Sequence, residues 1–207
     1  CRALKRIEFG HNFDTSSVVT MSNMFQNCES LTSLDVSKFN TQSLTTGDRI
    51  FQNCKSLTSL DVSNWIGFSV TTIQSMFSNC EKLEELNFEK FETYQLRYAS
   101  NIFENCRSLK KLNVPKFKTT QIKYMQNMFA NCSSLTELNL NSFDTVSSLN
   151  FENMFANCTS LTSLEINNFQ TDSVIIMDSM FLNCKKLTSL DLRHFETIRT
   201  NNMASMF

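Results

Sequence analysis

A chain of 207 residues whose 19 Lys and Arg nearly cancel 20 Asp and Glu has no global field to draw in nucleic acid or a strongly cationic partner. Its hydrophobic fraction of 41% argues against wholesale disorder, and its longest apolar runs, such as Val174-Ile175-Ile176-Met177, are far too short to cross a membrane. Only 3 Gly and 1 Pro must serve every turn, while 19 Phe stand against 3 Tyr and 1 Trp.

The chain repeats itself. Cysteines fall at 1, 28, 54, 80, 106, 132, 158 and 184, with a first interval of 27 and later ones of 26. Leu follows each Cys by three residues, from Leu4 and Leu31 to Leu187, and again by six, with Ile7 as the exception. An apolar residue follows by eight, such as Val36, Val62 and Leu140. A first aromatic column then runs Phe13, Phe39, Trp65, Phe91, Phe117, Phe143, Phe169, Phe195. A second runs Phe25, Phe51, Phe77, Phe103, Phe129, Phe155, Phe181, Phe207, and all ten Met stand four residues or one residue before it. A position filled alike in eight successive repeats faces one continuous core, so these are core stripes and not cofactor contacts.

Within each repeat the elements are predicted in a fixed order. The first is a short strand with one buried face, as in Leu34-Asp35-Val36, Leu138-Asn139-Leu140 and Leu164-Glu165-Ile166, where apolar and polar residues alternate. Thr stands two residues after the first aromatic, at Thr15, Thr41, Thr93, Thr119, Thr145, Thr171 and Thr197, where its hydroxyl is suited to satisfying turn or helix-start amides. Next comes a short helix: Ile122, Met125, Met128 and Phe129 share one side of a helical wheel, and Val174, Met177, Met180 and Phe181 repeat the pattern. Asn precedes Cys at 27, 53, 79, 105, 131, 157 and 183, and it is expected to stop that helix in the left-handed conformation, which it tolerates best after Gly. Gly47 stands at a Met position of the second repeat, where a distorted helix is expected.

One strand and one short helix per turn make an α/β solenoid of about eight 26-residue repeats. The strands stack as a parallel sheet on one face at about 4.8 Å per coil, with right-handed connections and the helices on the other face. The repeats start near 1, 28, 54, 80, 106, 132, 158 and 184, and the whole of 1–207 reads as a single repeat domain. The array opens at a repeat Cys and stops at Met206-Phe207, just short of the next Asn-Cys, so a fragment of a longer array is expected.

The run Met128-Phe129-Ala130-Asn131-Cys132-Ser133-Ser134-Leu135-Thr136-Glu137-Leu138-Asn139-Leu140-Asn141-Ser142-Phe143-Asp144-Thr145 resembles the BspA-like leucine-rich repeats, in particular the DUF285 type. The resemblance covers the whole chain. It departs from the common leucine-rich repeat in placing an aromatic such as Phe39 where Asn or Cys is usual. It implies a cell-surface or extracellular location and, in several relatives, adhesion. Cys1, which could also open a lipoprotein, reads as a repeat cysteine because Leu4 and Ile7 follow in register.

No pair of cysteines is closer than 26 residues and only His11 and His194 could assist, so the metal-site spacings are missing. Reduced thiols packed as small hydrophobes are the favoured reading, over disulfides between adjacent coils and over metal. No phosphate-binding glycine loop, zinc-protease motif or catalytic triad is evident, so neither a cofactor nor an enzyme is expected. Asn131-Cys132-Ser133 and Asn157-Cys158-Thr159 match the glycosylation pattern but lie in the structural Asn-Cys column.

Recognition is therefore expected on outward positions of the sheet. Glu85, Lys111 and Glu137 should be neighbours there, with Glu84 beside Lys110. Cross-strand ion pairing alone would account for this order. The rival reading is a recognition face in the middle of the array, comprising Glu85, Asn87, Lys110, Lys111, Asn113, Glu137, Asn139 and Glu165. Arg107, Lys110, Lys111, Lys116, Lys118 and Lys123 concentrate positive charge in one repeat beside it. The partner would be a protein or glycoprotein of a host matrix or cell surface, with nucleic acid disfavoured because nearby aromatics belong to core columns. The alternative function is a structural spacer or stalk in a surface filament or large assembly.

Overall fold

The computed structural model describes residues 1–88, 91–114 and 116–207. Its chain coils so that like positions of successive repeats lie side by side. Parallel bridges link Thr20, Thr46, Thr72, Tyr98, Tyr124, Asn150, Ile176 and Asn202 in one unbroken file. Leu31, Leu57, Leu83, Leu109, Leu135 and Leu161 form another file, each with no exposed surface. These residues and the aromatic, Met and Cys columns belong to one hydrophobic core that runs from Met21 to Phe181, with Met24 the exception: it is exposed, against the expectation for its column, as are Met203 and Phe207 in the last coil.

The sheet face is built from short strands. Strand β1 is Ser59–Asp61, β2 is Glu85–Asn87, β3 is Glu137–Asn139 and β4 is Ser163–Glu165. β1 pairs in parallel with β2 and β3 with β4, with Leu60 opposite Leu86 and Leu138 opposite Leu164. The middle Leu of each strand points inward and its polar neighbours point outward, as alternation requires. The expected eight-stranded sheet is thus realised as two pairs among the described residues. Leu34-Asp35-Val36 and Lys111-Leu112-Asn113 keep the same inward Leu between outward neighbours.

The expected helices are absent among the described residues, and this corrects the reading of Ile122–Asn131 and Val174–Phe181. Each back segment is instead a pair of tandem four-residue turns. In the first repeat the Met24 N–H donates to the Met21 carbonyl and the Cys28 N–H to the Phe25 carbonyl. The third residue of each turn has positive φ, 62° at Asn23 and 61° at Asn27, as a type II turn demands. The alternate amides donate to the next coil: Met21 to Thr46, Asn23 to Asp48, Phe25 to Ile50 and Asn27 to Gln52. The Asn before each Cys therefore adopts the expected left-handed conformation, with φ between 59° and 63° in all seven cases, but it closes a turn and not a helix.

Coil spacing explains why helices do not form. Successive rings from Phe25 to Phe207 are stacked at 5.5–5.8 Å. Packed α-helices need about 8–10 Å between axes, so a back face on this pitch has no room for them. The hydrogen bonds that a helix would keep to itself go instead to the neighbouring coil. Gly47 causes no distortion. Its N–H meets the Thr72 carbonyl at 2.9 Å in the regular pattern, and the Ile50 and Ile73 side chains fill the space where its Cβ would stand.

The Thr column has a specific task. Thr15, Thr41, Thr93, Thr119, Thr145 and Thr171 are buried, and each hydroxyl joins both backbone groups of one residue in the next coil. Thr145 Oγ1 accepts from the Gln170 N–H at 2.7 Å and donates to the Gln170 carbonyl at 2.9 Å. At the equivalent place Gly67 brings the two backbones together directly. A Cβ there would lie 2.6 Å from the Glu92 carbonyl oxygen, so only Gly fits.

The eight cysteines are free. Each thiol from Cys54 to Cys184 donates to the carbonyl of a Phe 29 residues earlier, at 3.2–3.3 Å, as in Cys132 to Phe103. Burial pushes the Cys54 and Cys132 thiols up to about 12 and holds Cys80, Cys106 and Cys158 well above their ordinary value. A column so far from ionisation is a poor nucleophile and a poor metal ligand.

Candidate functional site

The outward side chains of the sheet face line two adjoining open depressions. One, of about 820 Å³, takes in all eight residues singled out from the sequence: Glu85, Asn87, Lys110, Lys111, Asn113, Glu137, Asn139 and Glu165. The other, of about 940 Å³, continues toward the first repeat past Ser59, Asp61, Asp35, Lys38, Glu8 and Arg6. Glu85 and Asn87 belong to both, so the two form one trough along the stacking axis.

Three-residue strands set this arrangement. The inward Leu fixes each coil's register, and its two neighbours must then project outward. Glu85 faces Ser59 and Asn87 faces Asp61 across β1 and β2, while Glu137 faces Ser163 and Asn139 faces Glu165 across β3 and β4. Lys110 and Lys111 come from the coil between these pairs. Lys110 Nζ lies 2.7 Å from Glu84 Oε2, and Lys111 Nζ lies 2.9 Å from Glu137 Oε1. The expected pairings across coils are therefore present, and the two lysines reach in opposite directions along the axis. The Glu84 carboxylate raises the Lys110 ammonium above its ordinary value. Glu165 is held by Asn139 at 2.7 Å and Asn141 at 3.0 Å. Since these groups are solvent-exposed, such pairs add little to stability and serve mainly to position charge.

The depression around Lys110 and Lys111 has four carboxylates, Glu84, Glu85, Glu137 and Glu165, against two ammonium groups. The first-repeat end has Glu8, Asp35, Asp61 and Glu85 against Arg6 and Lys38. Carboxylate excess extends over the whole trough, although the chain as a whole is nearly neutral.

The basic cluster read from repeat five does not hold together in space. Lys110 and Lys111 are paired on the sheet face, and Lys116 is bound to Glu92 at 2.6 Å. Lys123 belongs to a separate cleft with Arg97, Tyr98 and Tyr124, half a repeat further along the chain. That cleft escaped the sequence reading, which assigned aromatics to core columns. The available signal was that Tyr94, Tyr98 and Tyr124, all the tyrosines of the chain, fall outside both aromatic columns.

Among the described residues no three His, Cys, Asp or Glu side chains converge as metal ligands, and no helix is long and apolar enough to cross a membrane.

Comparison with known proteins places this chain. Among curated proteins none is significantly similar. Solved structures similar to it at low identity include three leucine-rich proteins of bacteria. A leucine-rich repeat protein of T. pallidum is 21% identical over 76% of this chain and 78% of its own, with a TM-score of 0.43. One from Eubacterium ventriosum is 16% identical over 81% and 57%, also at 0.43. A leucine-rich cell surface protein from Faecalibacterium prausnitzii is 15% identical over 88% and 68%, at 0.30. The family model described as "Mycoplasma protein of unknown function, DUF285" matches residues 3–112 and again 98–207, the two matches together spanning nearly every repeat. The tandem-turn solenoid with its Asn-Cys and Phe columns thus belongs to the DUF285 family of BspA-like repeats.

Proposed function

We propose that this chain is a non-enzymatic binding module of a cell-surface protein, which adheres to a protein or glycoprotein partner through its sheet face. The supporting observation is the trough itself. It is continuous from the first repeat to the seventh, lined by exposed polar side chains on rigid backbone, and richer in carboxylates than in cations. A face of this kind suits an extended partner segment bearing Lys or Arg, with Lys110 and Lys111 setting its register by repulsion. Outward charges of this sort steer association and discriminate between partners more than they add affinity.

The spacer reading rests on a different observation. The unbroken file of bridges and the stacked Phe column make a stiff rod whatever lies on its surface. One assay separates the two. Beads coated with the chain are tested for adhesion to extracellular matrix and to cultured animal cells, alongside Glu85→Lys/Glu137→Lys and Lys110→Glu/Lys111→Glu variants. Binding by the wild type that the first variant abolishes and the second alters supports the sheet face. Equal binding by all three moves the site elsewhere, and no binding by any favours the spacer.

A further inference from the structure

The cleft around Tyr98 and Tyr124 is independent of the sheet face and opposite to it in charge. It has a volume of about 460 Å³ and is lined by Arg97, Tyr98, Gln121, Lys123, Tyr124 and Ser147. Two cations and no carboxylate border it. Among the described residues neither Arg97 nor Lys123 takes part in an ion pair, and Arg97 Nε instead donates to Gln121 Oε1 at 3.3 Å. Tyr98 and Tyr124 are bridge partners on adjacent coils, 46% and 40% exposed.

These features define a ligand chemistry. The two exposed rings stand on backbones one coil apart, about 4.8 Å, and each offers an apolar face with a hydroxyl edge. Gln121 and Ser147 add neutral hydrogen-bonding groups, and Arg97 offers a fork matched to a planar or tetrahedral oxyanion. We propose that this cleft binds an acidic polysaccharide. The C–H faces of its sugar rings stack on Tyr98 and Tyr124, and a carboxylate or sulfate group meets Arg97 and Lys123. An acidic peptide would use the cations but leave the rings without specific partners. A nucleic acid could stack on the rings, but its backbone has a charge at every nucleotide and calls for a longer basic track than two side chains provide. The hydrogen-bonded file beneath the rings means that no backbone has to order on binding, which lowers the entropic cost.

The test measures equilibrium binding of the full chain to heparin, polygalacturonate, neutral dextran, poly-L-glutamate and oligo(dT). The expected result is salt-sensitive binding to heparin, polygalacturonate or both, and little to the other three. Heparin alone would identify sulfate as the recognised group, and polygalacturonate alone would identify carboxylate. Arg97→Glu/Lys123→Glu should weaken binding by about tenfold or more. Tyr98→Ala/Tyr124→Ala should weaken it by about fivefold or more, given what aromatic packing contributes. Lys185→Glu/Lys186→Glu, exposed in the last repeat and part of neither face, makes the same change in charge and should bind as the wild type does. Thermal midpoints check that the variants fold, and Lys123→Gln with Tyr124→Leu replaces any that do not. Four results would overturn the proposal: no acidic polysaccharide bound above dextran, equal or tighter binding of poly-L-glutamate or oligo(dT), tyrosine variants that bind as the wild type does, or an equal loss in the Lys185→Glu/Lys186→Glu variant.

Discussion

The Thr column makes a demand that packing alone would not. Thr145 has no exposed surface and closes both backbone groups of Gln170 with one hydroxyl. Thr145→Val keeps the shape and removes the hydroxyl, so the Gln170 N–H and C=O lose their partner together. A buried backbone group left unpaired costs about 1–3 kcal/mol. Gln170 is exposed and water can reach part of its backbone, so the pair should cost about 2–4 kcal/mol in total and not the sum of two maxima. Thr145→Ser retains the hydroxyl and loses one buried methyl, about 1 kcal/mol. Urea unfolding followed by far-ultraviolet circular dichroism gives the order directly, because a shift of midpoint at constant slope reports stability. The wild type should unfold last, the Ser variant slightly earlier and the Val variant well before either. A Val variant at least as stable as the Ser variant would show that the column fills space and bonds nothing, and the account of how adjacent coils are tied would fail.

Two more outcomes follow from the turns and the thiols. Asn131 sits at φ 63° and accepts from the Asn157 amide at 3.0 Å, so Asn131→Gly should cost under about 1 kcal/mol, the lost amide bond being partly offset by easier backbone geometry. Asn131→Val should cost at least about 1–2 kcal/mol more, because a β-branched residue resists positive φ, and equal thermal midpoints for the two would refute the turn assignment. Buried thiols raised above their ordinary value of 9.0 add stability that is present below that pH, and it is lost as pH climbs toward the folded value, about 12 for Cys54 and Cys132. Each such thiol steepens the loss by up to about 1.4 kcal/mol per pH unit, so denaturant midpoints should be level below pH 9.0 and fall sharply above it. A flat alkaline limb, or rapid labelling of native Cys132 by a thiol reagent near neutrality, would contradict the burial of the column.

What the sequence disclosed and what it hid have one cause. A 26-residue period reports which positions stack, and it reported them correctly for Leu57, Leu83, Cys106 and Phe129. It does not report the path of the backbone between them. Apolar spacing at Ile122, Met125, Met128 and Phe129 satisfies a helix and a pair of tandem turns equally well, since both return a side chain to the core every three or four residues. Two signals could have separated them. Asn recurs four residues before the Asn-Cys column, at Asn23, Asn101, Asn127 and Asn153, and all four have positive φ. A helix interior would not choose that residue so often. The second signal is a Phe in every repeat, whose stacking pitch leaves no room for helices on that face. The sheet-face residues were legible because strand alternation fixes which side chains point outward. The tyrosine cleft was not, because exposure of an aromatic depends on a coil path that the helical reading had misplaced.

Positions that repeat are committed to the core, so function must be sought where the repeat fails. On the sheet face the column Arg6, Ser33, Ser59, Glu85, Lys111, Glu137, Ser163, Ser189 is mostly Ser outside repeats four to six. In the bridge column, tyrosine occurs only at Tyr98 and Tyr124, the fourth and fifth repeats. Both departures fall on the same stretch of coils, on separate faces, around the segment between β2 and β3. Core packing does not account for this coincidence, because every side chain concerned points outward. Two chemically opposed surfaces at one level of a rigid rod would let a single molecule hold a basic protein segment on one side and an acidic glycan on the other, and glycoprotein-rich matrix presents both together.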